Sequence, residues 1–363
     1  MPLFSNSLPF TAAPKNLCVL RLSAVGDICH TVPVVRSIQR QWPETRITWI
    51  IGKLEASLVG DIPGIEFIIF DKHRGAKAYA DLRRALRGRH YDALLQMQVS
   101  LRSSIASLFI PADIKLGFDK VRAKDYQWLF TNARIAAKPR QHVMDGLFGF
   151  AETIGVSDRT PHWEIPIPDD AAAFAREYVP DSSHDNRTLV ISPCSSNRAR
   201  NWRNWSAEGY ARVADYVTEK YGMTVILTGG PSQLEKDTGE QIARLAKHKP
   251  INLIGQTNLK QLLAILQRAS VLISPDSGPA HMATTVGTPV IGLYVTSNPN
   301  RTGPYLSQQW VVNKYPEALK AEMGKTVDEV SWGQRIRSPE AMARIAVEDV
   351  VEKLDGLLGA EPA

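Results

Sequence analysis

Val271-Leu-Ile-Ser-Pro-Asp-Ser-Gly-Pro-Ala-His281, with Gly287-Thr-Pro289 behind it, is the stretch that decides the fold. Val271, Leu272 and Ile273 read as the end of a buried strand, and Pro279 suits the first turn of a helix, so Asp276, Ser277 and Gly278 form the turn between. A strand entering a helix through so short a turn aims the free helix amides at one point. Such a point attracts anions, phosphates above all. The plainer alternative is that Asp276 or Ser277 merely caps the helix. A second loop of the same kind upstream weighs against it.

That second loop is Ser23-Ala-Val-Gly-Asp27, after the apolar strand Leu17-Cys-Val-Leu-Arg-Leu22 and before a helical pattern through Val32, Val35 and Ile38. It holds one glycine, so it lacks the G-x-G-x-x-G dinucleotide fingerprint, and it has no G-K-[ST] end for a P-loop. No cofactor motif is left.

Strand-like and helix-like segments alternate in the first half. After Leu17 to Leu22 come the helix near Thr31 to Gln41, the strands Arg46 to Ile51 and Phe67 to Phe70, a basic helix at about Ala78 to Arg87, and the strand Ala93 to Met97. Such alternation predicts a parallel sheet wrapped by helices. Prolines 161, 166, 168 and 180 and the polar run Asp181-Ser-Ser-His-Asp-Asn186 then read as a linker. The alternation restarts with the strands Thr188 to Ser192, Thr224 to Thr228, Val271 to Ser274 and Val290 to Tyr294, and the helices Ala207 to Tyr221 and Leu259 to Arg268. The expected layout is α/β: a first Rossmann-like domain over 1–168, a linker over 169–187 and a second Rossmann-like domain over 188–337. The tail 338–363 carries a helix from Pro339 to Leu358, expected to pack back across the first domain. Two such halves imply a cleft, with ligands beyond the carboxyl ends of the strands.

Length, charge and cysteines narrow the rest. A chain of 363 residues with 44% apolar content fits two ordinary domains. No run of 18 apolar residues occurs, and Met1 to Pro14 has neither a basic nor an apolar leader region, so the expectation is a cytoplasmic protein. Cys18, Cys29 and Cys194 have neither disulfide nor metal spacing and read as buried thiols. The net charge of +6 suits an acidic partner. Arginines gather at Arg83, Arg84, Arg87 and Arg89, at Arg198, Arg200 and Arg203, and at Arg335 and Arg337. Few aromatics interleave with them, which points away from nucleic acid and toward a polyanionic small substrate or an anionic membrane surface. For the membrane, Arg83, Arg84 and Arg87 are the candidate contacts.

Three loops at strand ends of the second half read as one site: Asp276 to Gly278, Cys194-Ser-Ser-Asn-Arg-Ala-Arg-Asn-Trp202, and Gly229-Gly-Pro231. Ser195, Ser196, Asp276, Ser277, Gly278 and His281 are candidate donor contacts, and the arginines can neutralise a diphosphate. No D-x-D triplet is present to hold a divalent metal, so the chemistry is expected to be metal-independent. A carboxylate placed against a phosphate would repel it, so Asp276 suits a helix cap or sugar hydroxyls better. Asp27, in the other domain, sits where a general base belongs if a hydroxyl attacks a sugar carbon opposite a leaving diphosphate. Its plainer role is again helix capping.

Cys18-Val-Leu-Arg-Leu-Ser-Ala-Val-Gly-Asp-Ile-Cys-His-Thr-Val-Pro33, together with Ser274 to His281 and Gly287-Thr-Pro289, resembles the lipopolysaccharide heptosyltransferases of glycosyltransferase family nine, from about Asn16 to Leu358. The resemblance implies the GT-B fold, with two Rossmann-like domains facing a central cleft. It also implies inverting, metal-independent transfer of heptose from ADP-heptose to the Kdo-bearing lipid A inner core, by an enzyme peripheral on the inner face of the inner membrane. By position it makes Asp27 the base and Asp276, Ser277, Gly278 and His281 the donor loop. Arg200 stands where the family has a diphosphate-contacting lysine, and Glu235 lies near an acidic residue that binds the nucleoside. Arg102, Lys120, Gln141 and His142 fall on the acceptor side. Gln141-His-Val-Met-Asp145 resembles the enzyme adding the first heptose, whereas Asn300-Arg-Thr-Gly-Pro-Tyr305 resembles the enzyme adding the second. A nucleotide-sugar 2-epimerase and a non-catalytic sugar-nucleotide-binding protein are the competing readings.

Overall fold

A computed structural model describes residues 8–180, 187–195 and 201–359. The expected donor contacts Ser196 and Arg200 lie outside the described residues, as do Arg198 and the run 181–186. Two compact units divide the chain, Met1–Pro166 and Ile167–Ala363.

The first unit contains strands β1 (Asn16–Leu20), β2 (Arg46–Gly52), β3 (Ile65–Phe70), β4 (Tyr91–Gln96), β5 (Ala112–Gly117) and β6 (Ala133–Arg134). Its helices are α1 (Val25–Gln41), α2 (Lys53–Val59), α3 (Ala76–Ala85), α4 (Leu101–Ser107) and α5 (Val143–Ile154). The strands pair in parallel in the order β3-β2-β1-β4-β5-β6. The central strands are covered on both faces, which is why β1 and β4 read as nearly unbroken apolar runs. The Asn16 amide donates to Asp92 Oδ2 at 2.8 Å, pinning β1 beside β4.

The second unit opens with α6 (Asp169–Tyr178) and β7 (Thr188–Ile191), then α7 (Ala207–Tyr221), β8 (Thr224–Leu227), α8 (Gln233–Leu245) and β9 (Ile251–Asn252). It continues through α9 (Leu259–Arg268), β10 (Val271–Pro275), α10 (Gly278–Thr285) and β11 (Val290–Tyr294). It closes with α11 (Pro299–Thr302), β12 (Val312–Asn313), α12 (Tyr315–Met323) and α13 (Val347–Leu358). Its sheet runs β12-β11-β10-β7-β8-β9, again all parallel, the same winding as the first. Both halves are the doubly wound units expected of a GT-B chain.

Three expectations change. The proline-rich linker is not a separate spacer: α6 lies against α9 with Ala171 and Ala175 buried, and Arg268 Nε donates to Val179 O at 2.8 Å, so it belongs to the second unit. The final helix does not take its core from the first domain. Val350 and Leu354 of α13 are fully buried in the second unit's own apolar core. The Tyr216 hydroxyl donates to Asp355 Oδ1 at 2.8 Å, Lys220 Nζ pairs with Asp355 Oδ2 at 3.0 Å, and Arg187 Nη1 donates to the Leu358 carbonyl at 3.1 Å. Lastly, α1 begins at Val25, six residues before the apolar periodicity suggested, and takes Asp27 out of the turn and into the helix.

Leu354→Ala is therefore expected to destabilise the second unit by about 2–5 kcal/mol. The exposed Glu352→Ala on the same helix should stay within about 0.5 kcal/mol of the parent. Chemical denaturation of the full chain measures both, and equal effects would place α13 outside the core.

Candidate functional site

In each sheet the strand order reverses once, between β1 and β4 and between β7 and β10. Helices leave opposite faces there, and the crevice at the carboxyl ends is where such sheets bind ligands. Both loops singled out in the sequence hang from these two points.

At the first, Gln98 beyond β4 holds the turn beyond β1. Its Oε1 accepts from the Leu22 amide at 2.6 Å and the Ser23 amide at 3.3 Å, and its Nε2 donates to Ser23 Oγ at 3.3 Å. Asp27 stands at the third residue of α1. Its Oδ2 accepts from the Ala24 amide at 3.1 Å and its Oδ1 pairs with Arg21 Nη2 at 2.7 Å. Arg21 is itself locked: Nε donates to Ser23 O at 3.1 Å, Nη1 to the Met97 carbonyl, and its own carbonyl accepts from the Trp49 indole at 3.2 Å. Capping and presentation thus coexist in Asp27, whose side chain keeps 37% exposure while two contacts fix its direction. Burial, with a further push from the Asp27 charge, raises the Glu55 carboxyl on α2 above its ordinary value despite Lys72 and a backbone hydrogen bond. Burial pushes the Cys29 thiol well up and the Cys194 thiol to about 11, so neither is a nucleophile; all three cysteines are free and buried.

The residues expected on the acceptor side gather at this same edge of the first sheet. His142 caps α5, its Nδ1 accepting from the Met144 amide at 3.1 Å, and its ring lies edge-on to His30 with centroids 5.2 Å apart. Gln141 Oε1 accepts from Arg122 Nη1 at 3.3 Å. Lys120 and Arg102 are exposed. The arginines of the α3 region fall elsewhere: α3 runs from the carboxyl end of β3 to the amino end of β4, which carries Arg83, Arg84 and Arg87 to the opposite edge of the sheet. Arg89 leaves the cluster for a two-point pair with Glu66, whose outer contact is 2.8 Å.

At the second switch point, Ser277 is the residue before α10 and makes no side-chain cap; its hydroxyl bonds Ser274 Oγ at 2.6 Å. Asp276 does not cap either. Its carboxylate is buried, accepting from Ser297 Oγ at 2.8 Å, with His281 Nε2 at 3.9 Å and Arg203 Nη1 at 3.7 Å. Arg203 also donates to the Asp276 carbonyl at 2.9 Å. Neither Ser277 nor Asp276 therefore caps the first turn of α10, at Gly278, with its side chain. Ser195 joins a neighbouring net, its Oγ donating to Asn201 Oδ1 at 2.8 Å and its amide to Asn204 Oδ1 at 3.0 Å. Glu235 braces the Gly229-Gly-Pro231 turn, accepting from the Gly230 amide at 2.8 Å and Ser232 Oγ at 2.6 Å. Among the described residues no group of three His, Cys, Asp or Glu side chains is gathered as a metal-ligand set.

Arg21, Gln98 and Ser297 escaped the sequence reading. Arg21 left one signal, a lone charge at the end of an apolar strand.

The model of glycosyltransferase family 9 (heptosyltransferase) matches residues 79–331. The lipopolysaccharide core heptosyltransferase OpsX of Haemophilus influenzae is 44% identical over 348 residues, 96% of this chain and 98% of that protein. The chain belongs to glycosyltransferase family 9. Lipopolysaccharide heptosyltransferase 3 of Escherichia coli is 22% identical, covering 92% of this chain and 95% of its own. Among solved structures, a family 9 glycosyl transferase from Veillonella parvula aligns with a TM-score of 0.76 at 22% identity, over 95% of this chain and 97% of its own. The E. coli heptosyltransferase WaaC, solved with ADP, aligns at 0.71 and 17% identity, over 94% and 99%. At such identities the structural likeness shows the fold, and it is the expected GT-B one. As a family 9 heptosyltransferase the protein is an enzyme of group transfer, which sets aside the epimerase and binding-protein readings.

Asp276 gives this site a pH signature. Burial raises its carboxyl, but the nearby His281, the Arg203 charge and the Ser297 hydrogen bond outweigh it and bring the value from 3.8 to about 2. A folded value below the unfolded one means stabilisation present in full above the unfolded value and lost as pH falls toward the folded one. Asp276→Ala is expected to cost about 3–5 kcal/mol at neutral pH. About 2 kcal/mol of that gap should vanish as pH is lowered through the acid range. Urea denaturation of both proteins across pH checks it, and a gap constant with pH would mean that the paired, ionised carboxylate is not its source.

Proposed function

We propose that this enzyme moves heptose from ADP-heptose to the Kdo-bearing lipid A inner core of lipopolysaccharide, with inversion and without metal, adding the first heptose. The observation that carries the reading is Asp27: a carboxylate held by the Ala24 amide and Arg21 yet over a third exposed, at the switch point of the first unit. In direct displacement the acceptor hydroxyl attacks the anomeric carbon from the face opposite ADP. Its proton passes to Asp27 as the new C–O bond forms and the bond to the diphosphate breaks.

The leaving diphosphate carries charge that must be met as the bond breaks. The first turn of α10, which Ser277 does not cap, supports a phosphate there, because helix N-terminal amides and the helix dipole favour an anion. Arg200, outside the described residues, adds a charge-assisted contact in this reading. His281, Ser195 and Ser277 line the donor loops, and Glu235 serves by holding the glycine turn. Asp276, buried against Arg203 and His281, keeps the loop in shape rather than meeting phosphate. Arg102, Lys120, Gln141 and His142 take the carboxylates and phosphates of the acceptor. The sequence similarity to a core heptosyltransferase supports the acceptor class. The second heptose stays the alternative because Asn300 to Tyr305 resembles that enzyme. No helix among the described residues is long and apolar enough to cross a membrane; in this reading the enzyme works peripherally on an anionic inner-membrane surface from the cytoplasmic side.

Asp27→Asn keeps the size and the contact to the Ala24 amide but cannot take a proton at neutral pH. Turnover is expected to fall about 10²–10⁴-fold with ADP-heptose affinity little changed, while the uncompensated Arg21 charge lowers the melting temperature without unfolding the chain under assay conditions. Near-normal turnover ends the base assignment. Transfer with core-truncated acceptors should also proceed in EDTA; activity lost to chelator and restored by magnesium would overturn the metal-free step.

A further inference from the structure

Beyond β5 the chain makes an excursion from Phe118 to Phe130 that turns four apolar side chains outward while Phe118 packs against Phe150. Val121, Tyr126, Trp128 and Leu129 are 82, 67, 46 and 61% exposed, and Leu101, at the start of α4, is 55% exposed. Single exposed apolar residues are ordinary on a protein surface, but here four fall within nine residues of one loop, from Val121 to Leu129. The loop is built to hold them there. Asp119, buried, accepts from the Val121 amide at 3.0 Å and the Arg122 amide at 3.3 Å and pairs with the Arg122 guanidinium. Gln127, fully buried, accepts from the Phe118 amide at 3.1 Å and donates to the carbonyls of Gln96 at 2.9 Å and Gln98 at 3.2 Å. Asp125 and Tyr126 take left-handed φ of 52° and 57°, which non-glycine residues adopt at a cost.

We propose that this loop is the membrane-contacting element of the enzyme, seating its apolar side chains in the interface of an anionic bilayer. The inference rests on the reading of a peripheral enzyme with a lipid-linked acceptor, and names the surface and its chemistry. The occupant follows from charge and shape. From Asp119 to Arg140 the chain carries six cations and two carboxylates, Asp119 and Asp125; Asp119 pairs with Arg122 and Glu152 with Lys138, which leaves a net positive surface. Lys124, exposed beside Tyr126, flanks the patch and matches anionic headgroups. Tyr and Trp prefer the boundary between headgroups and acyl chains, and side chains standing this far out fit a bilayer rather than a slot for one chain. Position agrees: Gln98, which bonds Gln127, also holds the Ser23 turn, so the patch shares the edge of the sheet with Asp27. Arg83, Arg84 and Arg87 lie at the other edge.

The test is sedimentation of the full chain with phosphatidylcholine vesicles, with and without phosphatidylglycerol and without lipopolysaccharide. The parent should bind only the anionic vesicles, more weakly as salt rises. Trp128→Ser with Leu129→Ser should lose about tenfold or more in partitioning. Val121→Asp, at the most exposed of these positions, should do likewise without lowering the melting temperature, so misfolding cannot mimic the result. The triple change Arg83→Ala, Arg84→Ala, Arg87→Ala should lose little. Loop variants that bind like the parent overturn the assignment and leave the membrane reading standing. A parent that ignores both vesicles sinks the membrane reading itself. Binding only after core-truncated lipopolysaccharide is added gives the patch to the acceptor and also overturns the bilayer contact.

Discussion

The reversal of strand order in the middle of each sheet is the constraint on which this molecule depends. Where neighbouring parallel strands send their helices to opposite faces, backbone groups at the strand ends lose their ladder partners and cannot be left dry. The sequence answers with buried polar side chains: Arg21 and Gln96 in the first unit, Ser192, Thr228, Ser274, Ser277 and Asp276 in the second. Gln98, close by, knits the Leu22 and Ser23 amides to its own strand end, and Ser274 reaches the Ser192 carbonyl at 3.2 Å. Each buried polar group contributes only if its bonds are made. That requirement turns two strand ends into rigid frames before any ligand arrives.

The two frames treat their aspartates in opposite ways. Asp276 is buried and surrounded by His281, Arg203 and Ser297, so its charge is spent inside the protein. Asp27 has one guanidinium and one amide, and more than a third of its side chain faces solvent. A carboxylate that must accept a proton needs an open lone pair and a fixed direction together, and only the second arrangement supplies both. Arg21 is the means: its remaining nitrogens are tied to Ser23 and Met97, so it orients Asp27 without being free to follow it outward.

Strands and their turns were legible because a parallel strand covered on both faces must be apolar along its length, as Leu17 to Leu20 and Val271 to Ile273 are. The start of α1 was not. Helix starts announce themselves by a capping side chain, and here the cap position is Ala24, while Asp27 three residues on bonds the Ala24 amide. The linker misled through composition: prolines border α6 without preventing two buried alanines from packing it on α9. The tail misled because amphipathicity says that a helix is buried and not against what. Asp27, Asp276, Ser277 and His281 carried local pattern; their partners Arg21, Gln98, Ser297 and Arg203 are joined to them by folding, and pattern alone could not pair them.

The apolar loop beyond β5 follows from the same constraint. Gln127 satisfies the Gln96 and Gln98 carbonyls, work that any strand end at a switch point requires. Because Gln98 also holds the Ser23 turn, two glutamine side chains in series, Gln127 and Gln98, link the outward-facing Trp128 and Leu129 to the backbone that carries Asp27. A surface tethered in this way cannot shift far without loosening the turn beside Asp27, the proposed base. The bonds that make the strand end dry thus also fix the exposed patch relative to the carboxylate, a spacing that the proposed transfer to a lipid-anchored acceptor requires in advance.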